Sequence, residues 1–286
     1  MASLRDIKRR IVSVTSTQKI TRAMKMVAAS KLRRAQDAIV KARPYAHCMR
    51  DMVMRLAMRA ELDQHPLLRR ATGTGTVGVI VVTSDRGLCG GFNATIVNAA
   101  LRTISEEFAG RDVELTIVGR KGLELLKRRD CTIGRSHTDV LDGSVSNVAR
   151  DIIADEVAEF SSGRYDEVHC LYNEFRSAIS QQVTLEQLLP FDVPEAEGAG
   201  APVDYVYEPS VGAVFEALLT KHMQIQMQRV LYESAASEHG ARMTAMESAT
   251  NNAGDIIDSL TLKYNRARQD AITKELIEVV SGSEAI

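Results

Sequence analysis

Apolar residues recur at alternating steps of three and four at both ends of this chain, and no other feature constrains its fold as strongly. The first series runs through residues 4–56, and only Gln18, Thr21 and Lys25 interrupt it with polar side chains. The second runs through residues 215–271 with the same step. A period near 3.5 residues sustained over this length is typical of a coiled coil. Since a single segment separates the two series, helices that pair through them must run antiparallel.

The chain is therefore divided into three predicted segments. Residues 1–65 form an N-terminal helix, residues 75–205 a central domain, and residues 209–286 a C-terminal helix that pairs with the first. Ser3 stands at a capping position before the first helix. Pro44 is expected to kink or interrupt that helix, because it lacks an N–H group and clashes with the preceding turn.

The central segment alternates between β-branched runs and helical spacing. This alternation indicates an open, Rossmann-like α/β sheet, so the predicted fold class is α/β with long helices that form an antiparallel coiled coil. The predicted strands are residues 77–83, 113–118, 131–135, 167–172 and 178–185, with a further candidate at 203–207. The predicted helices are residues 92–108, 120–129 and 144–160.

Charge is distributed unevenly, although the formal net charge is −1. Residues 1–60 carry 15 Lys and Arg against three Asp, whereas residues 209–286 carry seven basic and ten acidic residues. This asymmetry favours pairing of the two helices and offers a positive face to an acidic partner. Nucleic acid is the alternative partner, but residues 1–44 contain no aromatic side chain for stacking on bases.

Targeting and metal signals are weak. The basic, amphipathic first 25 residues resemble a mitochondrial transit peptide, but the helical pattern continues unbroken to Arg43. No apolar run approaches the ~18 residues that a membrane-spanning helix needs. The four cysteines, Cys48, Cys89, Cys131 and Cys170, are scattered singly, so reduced thiols and no metal site are predicted.

The densest local motif is TSDRGLCGGFN at residues 83–93, which follows a strand and precedes a helix. This context resembles a phosphate-binding turn. However, the glycine and lysine spacing of nucleotide-binding motifs is missing, as is an acidic residue at the end of the next strand. A contact loop that exposes Asp85 and Arg86 is the favoured interpretation. No catalytic arrangement can be assembled from spacing, and no cofactor is predicted.

Four blocks resemble the gamma subunit of the F-type ATP synthase, in its bacterial form. They are Ser16–Gln36, Ser84–Asn93, Asp204–Ser210 and Leu260–Gly282, which occur in the family's order and span most of the chain. The resemblance implies a non-catalytic central rotor stalk, whose coiled coil lies inside the alpha3-beta3 hexamer. It also implies an α/β domain on the c ring beside the epsilon subunit, and a shaft that carries proton-driven rotation to the catalytic sites of beta. The implied location is peripheral, on the cytoplasmic face of the bacterial inner membrane and attached to it only through Fo.

The resemblance also implies site residues by position. Those matched to contacts with the beta subunit are Arg268, Gln269, Met24, Lys25, Asp85, Arg86 and Cys89. Those matched to the footing on the c ring are Tyr205, Tyr207 and Glu208.

Two other classes remain open at this stage. A coiled-coil scaffold or nucleic-acid binder would self-associate and would show no affinity for alpha and beta subunits. A Rossmann-like enzyme with helical arms would bind nucleotide tightly as an isolated chain.

Overall fold

The chain forms two compact units. The computed structural model describes residues 4–57, 66–69, 71, 73–140, 144–191, 208 and 210–284. Unit 1 comprises Met1–Ala29 with Arg242–Ile286, and unit 2 comprises Ser30–Ala241. Two uninterrupted helices, α1 (Leu4–Ala57) and α5 (Val211–Glu284), contribute residues to both units.

In unit 1, α1 and α5 pair in antiparallel orientation. Gln18 Nε2 donates to the carbonyl of Thr250 at 3.4 Å, and Lys25 Nζ lies 2.7 Å from a carboxylate oxygen of Glu247. The hydroxyl of Thr250 donates to that of Thr21 at 2.7 Å in a buried contact. Residue numbers thus rise along α1 as they fall along α5, which confirms the predicted antiparallel pairing. The three polar interruptions of the first series supply these interhelical contacts.

The apolar series defines the buried stripe of each helix. Every position of both series, residues 4–56 and 215–271 at steps of three and four, is buried or half-buried. The predicted interruption at Pro44 is wrong, because α1 continues through it to Ala57, whereas a kink there stays a prediction. The proline ring crowds the carbonyl of Val40 and leaves it without an N–H donor. Pro44 and Val40 are both exposed. Solvent at this face can satisfy the orphaned carbonyl.

Unit 2 is built on a five-stranded sheet with the order β3-β2-β1-β4-β5. Strands β1 to β4 all run parallel to one another, and β5 is antiparallel to β4. The strands are β1 Thr76–Val82, β2 Val113–Val118, β3 Thr132–His137, β4 Tyr165–Phe175 and β5 Gln181–Leu189. The connecting helices are α2 Phe92–Glu106, α3 Arg120–Leu126 and α4 Val145–Ser161, and a short 3-10 helix spans Pro66–Leu68. The predicted open α/β sheet with long helices is confirmed, and the candidate strand at 203–207 lies outside the described residues.

Both faces of this sheet are covered by apolar side chains. Alternate residues of β1 point to opposite faces, because successive side chains of a strand alternate. Val79 belongs to the cluster formed with α2, which includes Ile96. Ile80 belongs to the opposite cluster, which α4, α1 and α5 complete with residues such as Val53 and Phe215. Because a buried Val, Ile or Phe side chain contributes ~1.5–3 kcal/mol, this second cluster fixes part of α5 on the sheet.

Candidate partner-binding surfaces

Helix α5 is most completely buried in unit 2 at residues 234–240. Residues 234–240 are buried on every side of the helix. A Cβ built on Gly240 would lie 3.2 Å from the Cα and the carbonyl oxygen of Ala178, so glycine permits a close backbone approach here. In unit 1, a Cβ on Gly254 would lie 3.3 Å from Gln18 Nε2. Both glycines of the helix interior therefore stand where another segment crosses closely.

The loop between β1 and α2 is organised by Asp85. Its Oδ1 accepts hydrogen bonds from the backbone N–H groups of Arg120 at 3.0 Å and Asp139 at 2.9 Å. The guanidinium of Arg120 in turn binds both carboxylate oxygens of Asp139, at 2.7 and 2.8 Å. Asp85 thus ties together the segments that follow β1, β2 and β3, and this carboxylate shapes the loop.

Cys89 also faces the interior of this loop. It is 1% exposed, and its Sγ lies 3.3 Å from Asn93 Nδ2. Asn93 Oδ1 accepts from the backbone N–H of Ser84 at 3.0 Å, and Asn93 Nδ2 donates to the Ser84 hydroxyl at 2.8 Å. Cys89 therefore cannot touch a partner without opening the loop, and its matched contact role stays a prediction.

Arg86 and Leu88 form the exposed part of the loop. The Leu88 side chain is 64% exposed, and its backbone adopts a φ of 63°. This left-handed conformation is strained for a bulky non-glycine residue, and such strain concentrates at functional sites. The sequence interpretation missed Leu88, although an apolar residue between Gly87 and Gly90 in a polar loop was a usable signal.

The matched residues on the long helices occupy the surface of unit 1. Arg268 and Gln269 are exposed on α5, and Met24 and Lys25 are half-buried on α1. The Lys25–Glu247 ion pair is itself exposed, so it contributes no more than ~1 kcal/mol. Among the described residues, no hydrogen bond or ion pair joins Arg268 to Lys25. The matched residues of the two helices are therefore treated as separate contact positions.

The same surface carries many large apolar side chains that face solvent. Their exposure lies between 48 and 72%. They are Val12, Ile20, Met26 and Val27 on α1, and Ile256, Leu262, Ile272, Leu276 and Ile277 on α5. Exposed apolar residues that adjoin, as Ile272 and Leu276 do at a spacing of four on α5, favour a surface that binds other proteins. The sequence interpretation missed them, because it sorted residues by the paired stripe alone.

The predicted footing lies mostly outside the described residues. Tyr205 and Tyr207 are not among the described residues, and Glu208 is exposed. Within the described ranges, no group of three or more His, Cys, Asp or Glu residues could hold a metal ion. No helix in that part of the chain is long and apolar enough to cross a membrane.

One buried carboxyl stands apart from these surfaces. Glu156 of α4 is 1% exposed, and its Oε1 accepts from the Thr116 hydroxyl at 2.7 Å. Its Oε2 is buried without a hydrogen-bond partner. Burial raises the pKa of Glu156 to about 7, although the Thr116 hydrogen bond opposes the shift. The side chain is enclosed between α4 and the sheet, so it bears on stability.

Comparison with known proteins identifies the family. A family model described as ATP synthase matches residues 3–286. The ATP synthase gamma chain of Geobacter metallireducens is 52% identical over 292 residues, which cover 100% of this chain and 99% of that one. The chain belongs to the ATP synthase gamma-subunit family. The gamma chain of Anaeromyxobacter sp. strain Fw109-5 is 50% identical over 290 residues and all of both chains.

Solved structures agree with the family assignment. The central stalk and c-ring structure of the Tetrahymena thermophila mitochondrial ATP synthase contains a chain with 29% identity and a TM-score of 0.60. The match covers 80% of this chain and 99% of that chain. A chain of the Euglena gracilis mitochondrial ATP synthase, 19% identical, matches with a TM-score of 0.66 over 99% of this chain and 94% of its own. At that identity the second match shows the fold alone.

Proposed function

We propose that this chain is the central rotor stalk of a bacterial F1Fo ATP synthase. It couples proton-driven rotation of the c ring to conformational change at the catalytic sites of the beta subunits, and it performs no chemistry of its own. The observation that carries this proposal is the exposed apolar surface of unit 1 on a chain of the gamma-subunit family. A paired helix that keeps large apolar side chains in solvent needs a surrounding partner, for which we infer the alpha3-beta3 hexamer.

Charge supports the same partner. Lys8, Arg9, Arg10, Arg33 and Arg34 are exposed on α1, and their positive field favours acidic segments of the hexamer. A shaft can shift the equilibrium of three catalytic sites only if it contacts them differently. The surface of a two-helix pair is not threefold symmetric, so each beta subunit meets different side chains as the pair turns.

Direct contacts to beta are assigned to five of the matched residues, and Leu88, which lies outside the matched set, is added because it is exposed. Arg268, Gln269, Met24 and Lys25 would contact beta from the helices, and Arg86 with Leu88 would do so from the loop after β1. Asp85 and Cys89 would act by shaping that loop.

The remaining assignments concern the other end of the assembly. Residues 75–205 would sit on the c ring beside the epsilon subunit, with Tyr205, Tyr207 and Glu208 as the footing. The helices at 1–65 and 209–286 would form the shaft. The subunit would then be peripheral on the cytoplasmic face of the inner membrane, held there through Fo, with no nucleic acid and no cofactor.

Reconstitution tests the proposal. The purified chain, mixed with alpha and beta subunits of a relative, should give a stoichiometric complex that hydrolyses ATP, and a bead fixed to unit 2 should rotate. The isolated chain should show no ATP turnover and no micromolar nucleotide site in calorimetry. A chain that self-associates, ignores alpha and beta, or binds nucleotide tightly by itself would contradict a rotor role.

A further inference from the structure

One arginine links helix α5 to two strands of the sheet of unit 2 through polar contacts. Arg229 Nη2 donates to both carboxylate oxygens of Glu186 on β5, at 2.8 and 2.7 Å. Its Nε donates to Gln226 Oε1 at 2.9 Å, and Nη1 lies 3.2 Å from Glu233 Oε1. Nη1 also reaches the hydroxyl of Tyr172 on β4 at 3.4 Å. These contacts involve all three nitrogens of the guanidinium.

The acceptors of this cluster are themselves fixed. The Tyr172 hydroxyl donates to Glu186 Oε2 at 3.0 Å, and the Tyr172 side chain is 2% exposed. Arg229 and Glu186 are each 30% exposed in their side chains, so water screens the pair only partly. The two strands and the helix therefore share one hydrogen-bonded cluster with a defined geometry.

Two further contacts follow along the same side of α5. The Ser237 hydroxyl donates to the carbonyl of Asn173 at 3.0 Å in a buried bond. Gly240 then packs against the backbone of Ala178, just beyond β4. Residues 229, 233, 237 and 240 are spaced by four, four and three, so they lie on one face of the helix. This face attaches α5 to the β4–β5 hairpin.

We propose that Arg229 is a positioning residue that fixes the rotational setting of α5 on the β4–β5 hairpin, so that torque reaches α5 without slippage of the helix about its axis. Apolar packing holds α5 on the sheet but is non-directional, so the hydrogen-bonded cluster supplies the directional part of the attachment. A planar guanidinium whose three nitrogens bind groups on β4, β5 and α5 is directional, and lysine, which has one nitrogen, cannot replace that geometry. This inference rests on the rotor function proposed above.

The key variant combines Arg229→Met with Glu186→Gln, which removes the ion pair to β5. It is compared with the same variant carrying Glu233→Gln, because Glu233 otherwise loses the guanidinium as its partner. Arg229→Lys keeps the charge but loses the planar arrangement of three donor nitrogens. Lys221→Met is the matched control, because it removes an exposed cation from the same helix. Each chain is assembled with alpha and beta subunits in one preparation and into the complete enzyme in vesicles in another. Complex yield, unloaded ATP hydrolysis, rotation of a bead against viscous drag, and proton-driven ATP synthesis are then measured.

The double variant should keep parental complex yield and unloaded hydrolysis, whereas rotation under drag and ATP synthesis should fall severalfold. Arg229→Lys should lie between the parent and the double variant, and Lys221→Met should match the parent. Parental rotation under drag by the double variant would overturn the inference. Proportional loss of yield and of every activity would also overturn it, since that pattern reports a structural role alone. Failure of the parental chain to assemble or rotate would instead refute the rotor function itself.

Discussion

A buried carboxyl with one unsatisfied oxygen makes the stability of unit 2 depend on pH. The pKa of Glu156 is about 7 in the folded chain against an ordinary value of 4.5, because burial disfavours the charged form. The folded state therefore binds more protons between these two values. The stability contribution of Glu156 is fully present below about pH 4.5 and is lost as pH rises through about 7.

Glu156→Gln should remove this dependence. At pH 5 the variant should match the parent within experimental error. At pH 8 it should be more stable by about 2–3 kcal/mol, since one pKa unit corresponds to ~1.4 kcal/mol. Urea unfolding followed by circular dichroism measures the difference, because the chain has no Trp. Asp151→Asn, an exposed change on the same helix, is the control. If Glu156→Gln raised the stability at pH 8 no more than Asp151→Asn does, the assignment would be disproved.

The loop after β1 separates two residue roles that sequence could not. The motif at residues 83–93 was predicted as an exposed contact loop, and Arg86 is exposed as expected. Asp85 was predicted to be exposed as well, but it is half-buried and accepts hydrogen bonds from Arg120 and Asp139. Those partners lie 35 and 54 residues away, so no local pattern reveals them. Side-chain direction in a turn depends on each φ angle, which the glycines leave open.

Substitution at Leu88 and Asp85 should separate binding from stability. Leu88→Asn should leave the melting temperature unchanged or slightly raised, because Asn tolerates the left-handed conformation better. It should weaken complex formation with alpha and beta subunits severalfold. Asp85→Ala should instead lower stability by about 1–3 kcal/mol, because two loop amides lose their acceptor. Equal binding by the Leu88 variant and the parent, measured by titration at moderate salt, would remove Leu88 from the contact surface.

At the scale of elements, the long helices were the most predictable part of the chain. A repeat sustained over many turns averages out local exceptions, and both series mark the buried stripe throughout. Sheet order was not predictable, since strand pairing joins residues far apart in sequence. The direction of β5 has a physical reason: only residues 176–180 separate it from β4, which is too short for a parallel crossover.

The two interior glycines of α5 should respond oppositely to alanine. Helix propensity favours alanine at both positions by about 1 kcal/mol. At Gly254 the nearest atom is the end of the flexible Gln18 side chain, so Gly254→Ala should stabilise unit 1 by about 0.5–1 kcal/mol. At Gly240 the neighbours are backbone atoms of Ala178, which cannot move aside. Gly240→Ala should therefore destabilise unit 2 despite the better propensity. Thermal unfolding of both variants under one condition tests this contrast, and stabilisation by both would show that the backbone contact is soft.

At the scale of the whole molecule, the proposed coupling would depend on side chains that folding does not need. Arg268 and Gln269 are exposed on α5, beside the half-buried Ala267 and Ala271 of the paired stripe. Their removal should cost the helix pair only a few tenths of a kcal/mol, as for ordinary surface substitutions. Hydrogen bonds to charged groups of a catalytic subunit would contribute about 1.5–3 kcal/mol each. The expected loss of binding free energy to a catalytic subunit is therefore much larger than the expected loss of helix-pair stability.

The double variant Arg268→Ala with Gln269→Ala should retain parental helicity and should assemble with alpha and beta subunits at moderate salt. ATP turnover by the complex should nevertheless fall severalfold, because the hydrogen bonds between shaft and catalytic subunit are lost. Arg266→Ala is the matched control, since it removes an exposed arginine about 200° around the helix from Arg268. Turnover, complex yield and circular dichroism are compared in one preparation. Unchanged turnover, a loss of helicity that accounts for the defect, or an equal defect in the control would show that force is not transmitted through these two residues.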